Sequence, residues 1–202
     1  MKLGGCTYLT QGAFINRIQT SNLHEESWEI GLLTLKEFND TLGLSYRMSQ
    51  GKSKKIFVLK DKISEDIITD TNSLVMHTLS QKVALLPEKY SGLLLTNNFI
   101  KIEFIGEVDL SFMEWYLNEH PAIQKQIALF SEGSVISSLK LSHLRDIDIS
   151  LPPLEEQHIL GKVTVLKKRK ENLFKEKIQL EQQLIHQTLV NVTEMKAQEE
   201  KK

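Results

Sequence analysis

The chain has 202 residues and a net charge of −1, with 25 Lys and Arg against 26 Asp and Glu, so bulk electrostatics do not announce a nucleic-acid ligand. Residues 1–150 hold 15 basic and 18 acidic side chains and residues 151–202 hold 10 and 8, so any DNA-binding face must be a local patch. One cysteine, Cys6, excludes a disulfide framework and a cysteine-rich zinc site; no apolar run reaches transmembrane length and MKLGGCTYLTQG lacks a signal-peptide core, which sets the expectation of a cytoplasmic protein away from membranes.

Residues 1–20 alternate loosely around Gly4, Gly5 and Gly12 and read as a strand, a turn and QGAFINRIQT. Asn16 and Arg17 there suit phosphate or base edges, or simply a solvated surface. WEIGLLTLKEF (28–38) reads as a buried strand entering a short helix or turn. SYRMSQGKSKK (45–55) gathers Arg47, Lys52, Lys54 and Lys55 beside Tyr46, the densest basic cluster of the first 150 residues. Its Gly and Ser make it loop-like. Such loops contact DNA backbones, and equally form solvated hairpin tips.

IFVL (56–59) reads as a short buried strand. Ile67, Ile68, Leu74 and Val75 fall in strand-like surroundings around a polar turn at Asp70–Ser73, and VALLPEKYSGLLLTNNFIKIEF continues as apolar runs broken at Pro87 and Ser91–Gly92. Turn signals every ~8–12 residues argue a mostly β region, with Asn97 and Asn98 as turn residues or polar readers. Helix returns over 109–130: Ser111 and Glu114 suggest a capping box, Phe112, Trp115, Tyr116 and Leu117 a packing face, and Pro121 a break before Ile123, Ile127 and Phe130. Ser142 then suits the N-cap of a turn SHLRD, His143 a surface position, and IDIS (147–150) a last strand.

From Leu151 to about Met195 the pattern is one long helix. Pro152 and Pro153 suit its entry, and Glu155 and Glu156 its positive end. Leu166, Leu173 and Leu180 recur every seven residues, flanked by Val163 and Leu184. Lys170 and Lys177 interrupt that seam, while Phe174, Ile178 and Ile185 widen it. Some forty residues make a rod of about 60 Å. Either it meets a partner helix or it packs on its own domain. The expected fold is α+β: a β-rich globular domain over 1–150, a coiled-coil-type helix over 151–195, and a frayed tail over 196–202.

No enzyme motif survives inspection. There is no GxGxxG or P-loop, no recognisable Ser–His–acid or Cys–His set, and no HExxH among six scattered histidines. LPPL (151–154) lacks the Asn and the aromatic residue of an adenine-methyltransferase tetrapeptide. The chain reads as noncatalytic, with no metal and no cofactor of its own.

The run GSVISSLKLSHLRDIDISLPPLEEQHI (133–159) resembles the junction between a target-recognition domain and its conserved helix in the DNA-specificity subunit of type I restriction–modification systems. QGAFINR, KISEDIIT (with Glu for the family's Gly) and FMEWYLN are similar to the same family. The resemblance implies a subunit that reads double-stranded DNA while a separate methyltransferase subunit binds S-adenosylmethionine, with a restriction–translocase subunit as a further partner. Implied DNA-binding candidates are Arg17, Tyr46, Arg47, Lys52, Lys54, Lys55, Ser134 and Lys140, the last two in the Gly133–Lys140 loop. Partner-helix candidates are Val163, Leu166, Leu173, Phe174, Ile178, Leu180, Leu184 and Ile185.

A full subunit has two recognition domains and two long helices; this chain has one of each. That departure implies a half-subunit, either a natural one or a fragment of a longer subunit, that pairs antiparallel as a homodimer on two inverted half-sites. Domain centres ~50 Å apart correspond to roughly 15 base pairs. The rival reading is a noncatalytic protein-interaction module with a coiled-coil helix and no DNA binding.

Overall fold

The structure, a computed structural model, describes residues 1–20, 27–44, 54–131 and 138–199. Short runs of alternating or continuous apolar residues build two antiparallel sheets. The larger has strand order β1-β7-β5-β6, with β1 Thr7–Gln11, β5 Leu74–His77, β6 Lys82–Leu85 and β7 Phe99–Phe104. The smaller has order β2-β4-β3, with β2 Gln19–Thr20, β3 Ser27–Gly31 and β4 Lys55–Leu59. Helices α1 (Ile15–Ile18), α2 (Leu35–Thr41), α3 (Leu110–Glu119), α4 (Pro121–Ser131), α5 (Leu141–Asp146) and α6 (Leu154–Glu199) complete the order.

The central strand β7 shows why its sequence alternates imperfectly. Ile100 and Ile102 face one core with Leu9, Leu74 and Met76, covered by Phe112, Met113, Tyr116 and Leu117 of α3 and by Ile123 and Ile127 of α4. Phe99 faces the other way, into a second core with Phe38, Val75, Ala84 and Leu95. A third cluster, Ile30, Leu32, Ile56, Val58 and Leu94, lies on the smaller sheet. β5 is buried on both faces, and so its Leu74–Met76 reads as a continuous apolar run ahead of the buried His77.

Lys101 also sits on β7 and is 4% exposed. Its ammonium is 2.7 Å from Asp70 and 3.4 Å from Glu103. Burial by itself would lower its pKa; the bond to Asp70 and the charge of Glu103 outweigh that and raise it. Edge strand β6 is closed by side chains of α3. Asn118 accepts the Val83 N–H at 2.9 Å and donates to the Val83 carbonyl at 2.7 Å, and Glu114 accepts the Leu85 N–H at 3.2 Å. A side-chain amide thus stands in for a neighbouring strand.

Local expectations fail where a cap or strand depends on its neighbours. α3 is capped by Asp109, which accepts the Phe112 N–H at 2.8 Å, rather than by a Ser111–Glu114 box; Glu114 serves β6 instead. α5 starts at Leu141 without a side-chain cap, so Ser142 is not its N-cap. Glu65–Ile67 is a 3-10 turn, and Ile68 makes only an isolated bridge with Leu94. IDIS is not a strand: the backbone of residues 1–3 takes Ile147 and Ile149, while Gln126 and Tyr116 bond Asp148 and Ser150. His143 is half-buried, stacked on Phe130 with ring centroids 4.9 Å apart.

The chain forms two compact units, Met1–Thr164 and Val165–Lys202. The first turns of α6 belong to the first unit and lie against the start of α3. Gln157 accepts the Asp109 N–H at 3.3 Å, His158 is 3.0 Å from the Asp109 carboxylate, and Thr164 donates to Ser111 O at 3.3 Å. Gly161 completes this face; a Cβ there would stand 2.7 Å from Asp109 Cγ. In the second unit α6 continues to Glu199, with residues 200–202 outside the described chain.

Candidate nucleic-acid interface

Because its neighbouring strands are antiparallel, the larger sheet gathers the end of β1, the start of β7, the end of β5 and the start of β6 at one edge. The register there sets Gln11 opposite Ile100, and His77 opposite both Phe99 and Lys82. Three connections leave this edge, Gly12 through α1, the hairpin Thr78–Gln81 and the Thr96–Asn98 turn, and a fourth, residues 138–140 ahead of α5, reaches it.

A chain of hydrogen bonds ties them together. Gln11 Nε2 donates to Asn97 O at 2.9 Å, Thr78 N–H to Asn98 O at 2.8 Å, and Leu139 N–H to Thr78 O at 3.0 Å. Gly12 has a structural cause: a Cβ would come within 2.6 Å of the Leu95 carbonyl carbon, so only glycine lets β1 exit against that backbone. His77 shapes the hairpin from beneath. It is buried, its Nδ1 is 2.9 Å from Ser80 Oγ, and its ring packs on Phe38 and Phe99. Burial holds its pKa below the usual histidine range, which favours the neutral ring.

Two of the sequence candidates lie on the connections of this edge. Arg17 is exposed on α1, with its guanidinium 4.9 Å from the Phe14 ring centroid. Lys140 is exposed, one residue beyond Leu139 and at the N-cap position of α5. Lys54 and Lys55 lie elsewhere, at the start of β4. Gln19 pairs with Val58, so Lys54 lies four residues, about 13 Å of strand, from where α1 hands over to β2. Lys55 is bound to Glu29 at 2.7 Å with both side chains largely in water, a pair that exchanges readily for another anion. Tyr46, Arg47, Lys52 and Ser134 lie outside the described residues. Sequence reasoning passed over Gln11, Gln81 and Lys82, and left Asn16 and Asn98 open between polar readers and ordinary surface or turn residues. Read one segment at a time, amides at turns signal only turns, and no local pattern announces that four connections meet.

The second candidate surface is on α6. Leu166, Leu173, Phe174, Ile178, Leu180, Leu184 and Ile185 are each 52–65% exposed, as is Val163 at 57% in the first unit. At ~100° per residue the leucines form one row, and Phe174, Ile178 and Ile185 a second row about 100–120° around the helix. The lysines that interrupt the seam bend over the surface: Lys170 Nζ lies 5.8 Å from the Phe174 ring centroid, and Lys177 is 3.6 Å from Glu181. Among the described residues no cluster of His, Cys, Asp and Glu is placed to hold a metal ion, and no helix is long and apolar enough to cross a membrane.

The family model for the type I restriction modification DNA specificity domain matches residues 46–187. The fold is similar to the S subunit of the type I restriction–modification system from M. genitalium, with 16% identity, a TM-score of 0.52, and 87% of this chain and 40% of that one covered. It is similar also to a structure solved for complex assembly and conformational transition of the type I R-M system (15%, 0.59, 87% and 43%) and to the HsdS subunit from Thermoanaerobacter tengcongensis (10%, 0.50, 86% and 37%). At these identities the likeness is one of fold, and the chain spans about two-fifths of the length of these structures. No curated protein sequence matches. With the family model covering well over half of its length, this chain belongs to the type I restriction–modification DNA specificity domain family.

Proposed function

We propose that the chain is a noncatalytic specificity subunit that reads one DNA half-site and recruits an adenine methyltransferase subunit, and a restriction–translocase subunit where one is present. In this reading S-adenosylmethionine binds the methyltransferase and not this chain, and the complex works in the cytoplasm. The observation that carries it is the pairing of a DNA-specificity domain with an α6 whose leucine row stands exposed. A helix with such a row is stable in water only when another helix covers it. A second copy supplies one, which makes the working form a homodimer on inverted half-sites. The second row, Phe174, Ile178 and Ile185, is then free for the methyltransferase.

Salt titration of duplex binding by the full chain, with sedimentation at micromolar concentration, tests the proposal. The expected results are a dimer, and affinity falling linearly in log–log with a slope near −0.9 for each phosphate neutralised. A chain that stays monomeric and binds duplex at no salt concentration is instead a protein-interaction module.

A further inference from the structure

The net charge of −1 hides an uneven distribution. The segments that build the Gln11–Lys82 edge of the larger sheet, residues 7–20, 71–87, 89–102 and 138–145, contain no Asp or Glu although the chain has 26. They bring Arg17, Lys82 and Lys140, all exposed, to this edge. Carboxylates do flank it: Glu119 follows Asn118, whose amide bonds Val83 beside Lys82, and Glu65 and Asp66 lie on the turn whose Ile67 carbonyl accepts the Leu95 N–H. At the other end of the same sheet, Asp70 precedes β5, Glu103 lies in β7, and Glu107 and Asp109 follow it. A duplex approaching the domain therefore meets more carboxylate repulsion at that end than at the Gln11–Lys82 edge, whose own strands and connections carry none.

The chemistry of the favoured edge is that of base recognition rather than of phosphate binding alone. Asn16 and Asn98 are exposed amides, and Arg17 is held by its stack on Phe14. Amide and guanidinium groups are the side chains that pair bidentately with adenine and guanine edges in the major groove. Phe14 and Leu79 are 52% and 48% exposed on the same connections; a thymine methyl packs on such groups. The hydrogen bonds linking Gln11, Asn97, Asn98, Thr78 and Leu139 fix the connections around Asn98 in one frame, so less order is left to acquire there on binding.

Resting on the DNA-specificity reading above, we propose that this edge is the base-reading surface: Asn16, Arg17 and Asn98 contact base edges, and Lys82 and Lys140 contact the flanking phosphates. The test is selection by the full chain from a duplex library randomised over its centre, followed by the same selection with variants. Arg17→Ala and Asn98→Ala are expected each to flatten preference at one or two base positions, by about 5- to 100-fold. Lys82→Ala and Lys140→Ala are expected to leave the selected motif unchanged and to lower the salt slope by about one each.

Asn98→Ala keeps the carbonyl that Thr78 needs, and Asn98→Asp, of the same shape, gives a second variant that loses its donor; thermal melting confirms that both remain folded. A motif identical to wild type in the Arg17 and Asn98 variants overturns the assignment while leaving the DNA-specificity reading intact. A wild-type chain that selects no motif overturns both.

Discussion

Gly161→Ala separates local from tertiary reasoning by the sign of its effect. Gly in a helix interior is about 1 kcal/mol less favourable than Ala, so helix propensity alone predicts a more stable protein. The structure predicts the reverse. The new methyl carbon would stand 2.7 Å from Cγ and 3.0 Å from Oδ2 of Asp109, and closer still to Oδ1. Asp109 has no easy retreat. Its Oδ1 caps α3 through the Phe112 N–H, its Oδ2 meets His158, and its own N–H donates to Gln157. Displacing it forfeits a cap worth ~0.5–2 kcal/mol, and the overpacking adds about 1–3 kcal/mol. After the propensity gain the expected loss is roughly 1–3 kcal/mol, or a Tm lower by about 3–10 °C for a domain of this size. Far-UV signal is dominated by α6, so the melt is followed by the near-UV signal of Trp115 on α3, in a Trp28→Phe background. In an Asp109→Ala background the clash disappears and Gly161→Ala becomes mildly stabilising, a sign reversal that the double-mutant cycle reads directly. A higher Tm for Gly161→Ala alone would refute the reasoning.

Lys101→Ala strands the Asp70 carboxylate. That side chain is 36% exposed and partly rehydrates, so the expected cost is about 1–3 kcal/mol, below that of a fully buried pair, read as a lower urea midpoint. Burial tends to raise the pKa of Asp70, but bonds from Lys101, Ser73 and the Asn72 N–H lower it overall. Its stabilising effect is therefore complete well above the ordinary aspartate value of 3.8 and is lost as pH falls through the lower folded value. The raised pKa of Lys101 gives a contribution complete below 10.5 and lost at higher pH, so both limbs of a Tm–pH profile flatten in a Lys101→Met, Asp70→Asn pair. Asn118→Ala removes both partners of Val83 on edge strand β6; the expected loss is about 1–3 kcal/mol, with faster hydrogen exchange at the Val83 amide. Leu173→Asp with Leu180→Asp is expected to abolish the sedimenting dimer while leaving the Trp115 melt unchanged; a dimer that persists places self-association away from the leucine row.

Much of this architecture was legible residue by residue. The β-rich region, the break at Pro121 and the single long helix all follow from periodicity, because a strand or an amphipathic helix repeats the same local demand every two or every three to four residues. Caps were less legible. Ser111 and Glu114 have the right spacing for a capping box, yet Asp109 caps α3 because Gln157 and His158 of a helix some fifty residues away hold it there. The alternation in IDIS is real, but its backbone is taken up by residues 1–3, Tyr116 and Gln126.

The candidate interface divides in the same way. The exposed heptad leucines of α6 and the resemblance of the 133–159 junction are properties of contiguous sequence, because a seam and a helix entry are encoded in neighbouring residues. The edge that joins Arg17 to Asn98, Lys82 and Lys140 exists only once β1, β7, β5 and β6 are paired in register. Basic density along the chain singles out Lys54 and Lys55 because they are contiguous, whereas electrostatic potential is summed through space: an edge assembled from four distant segments has no signature in any one of them.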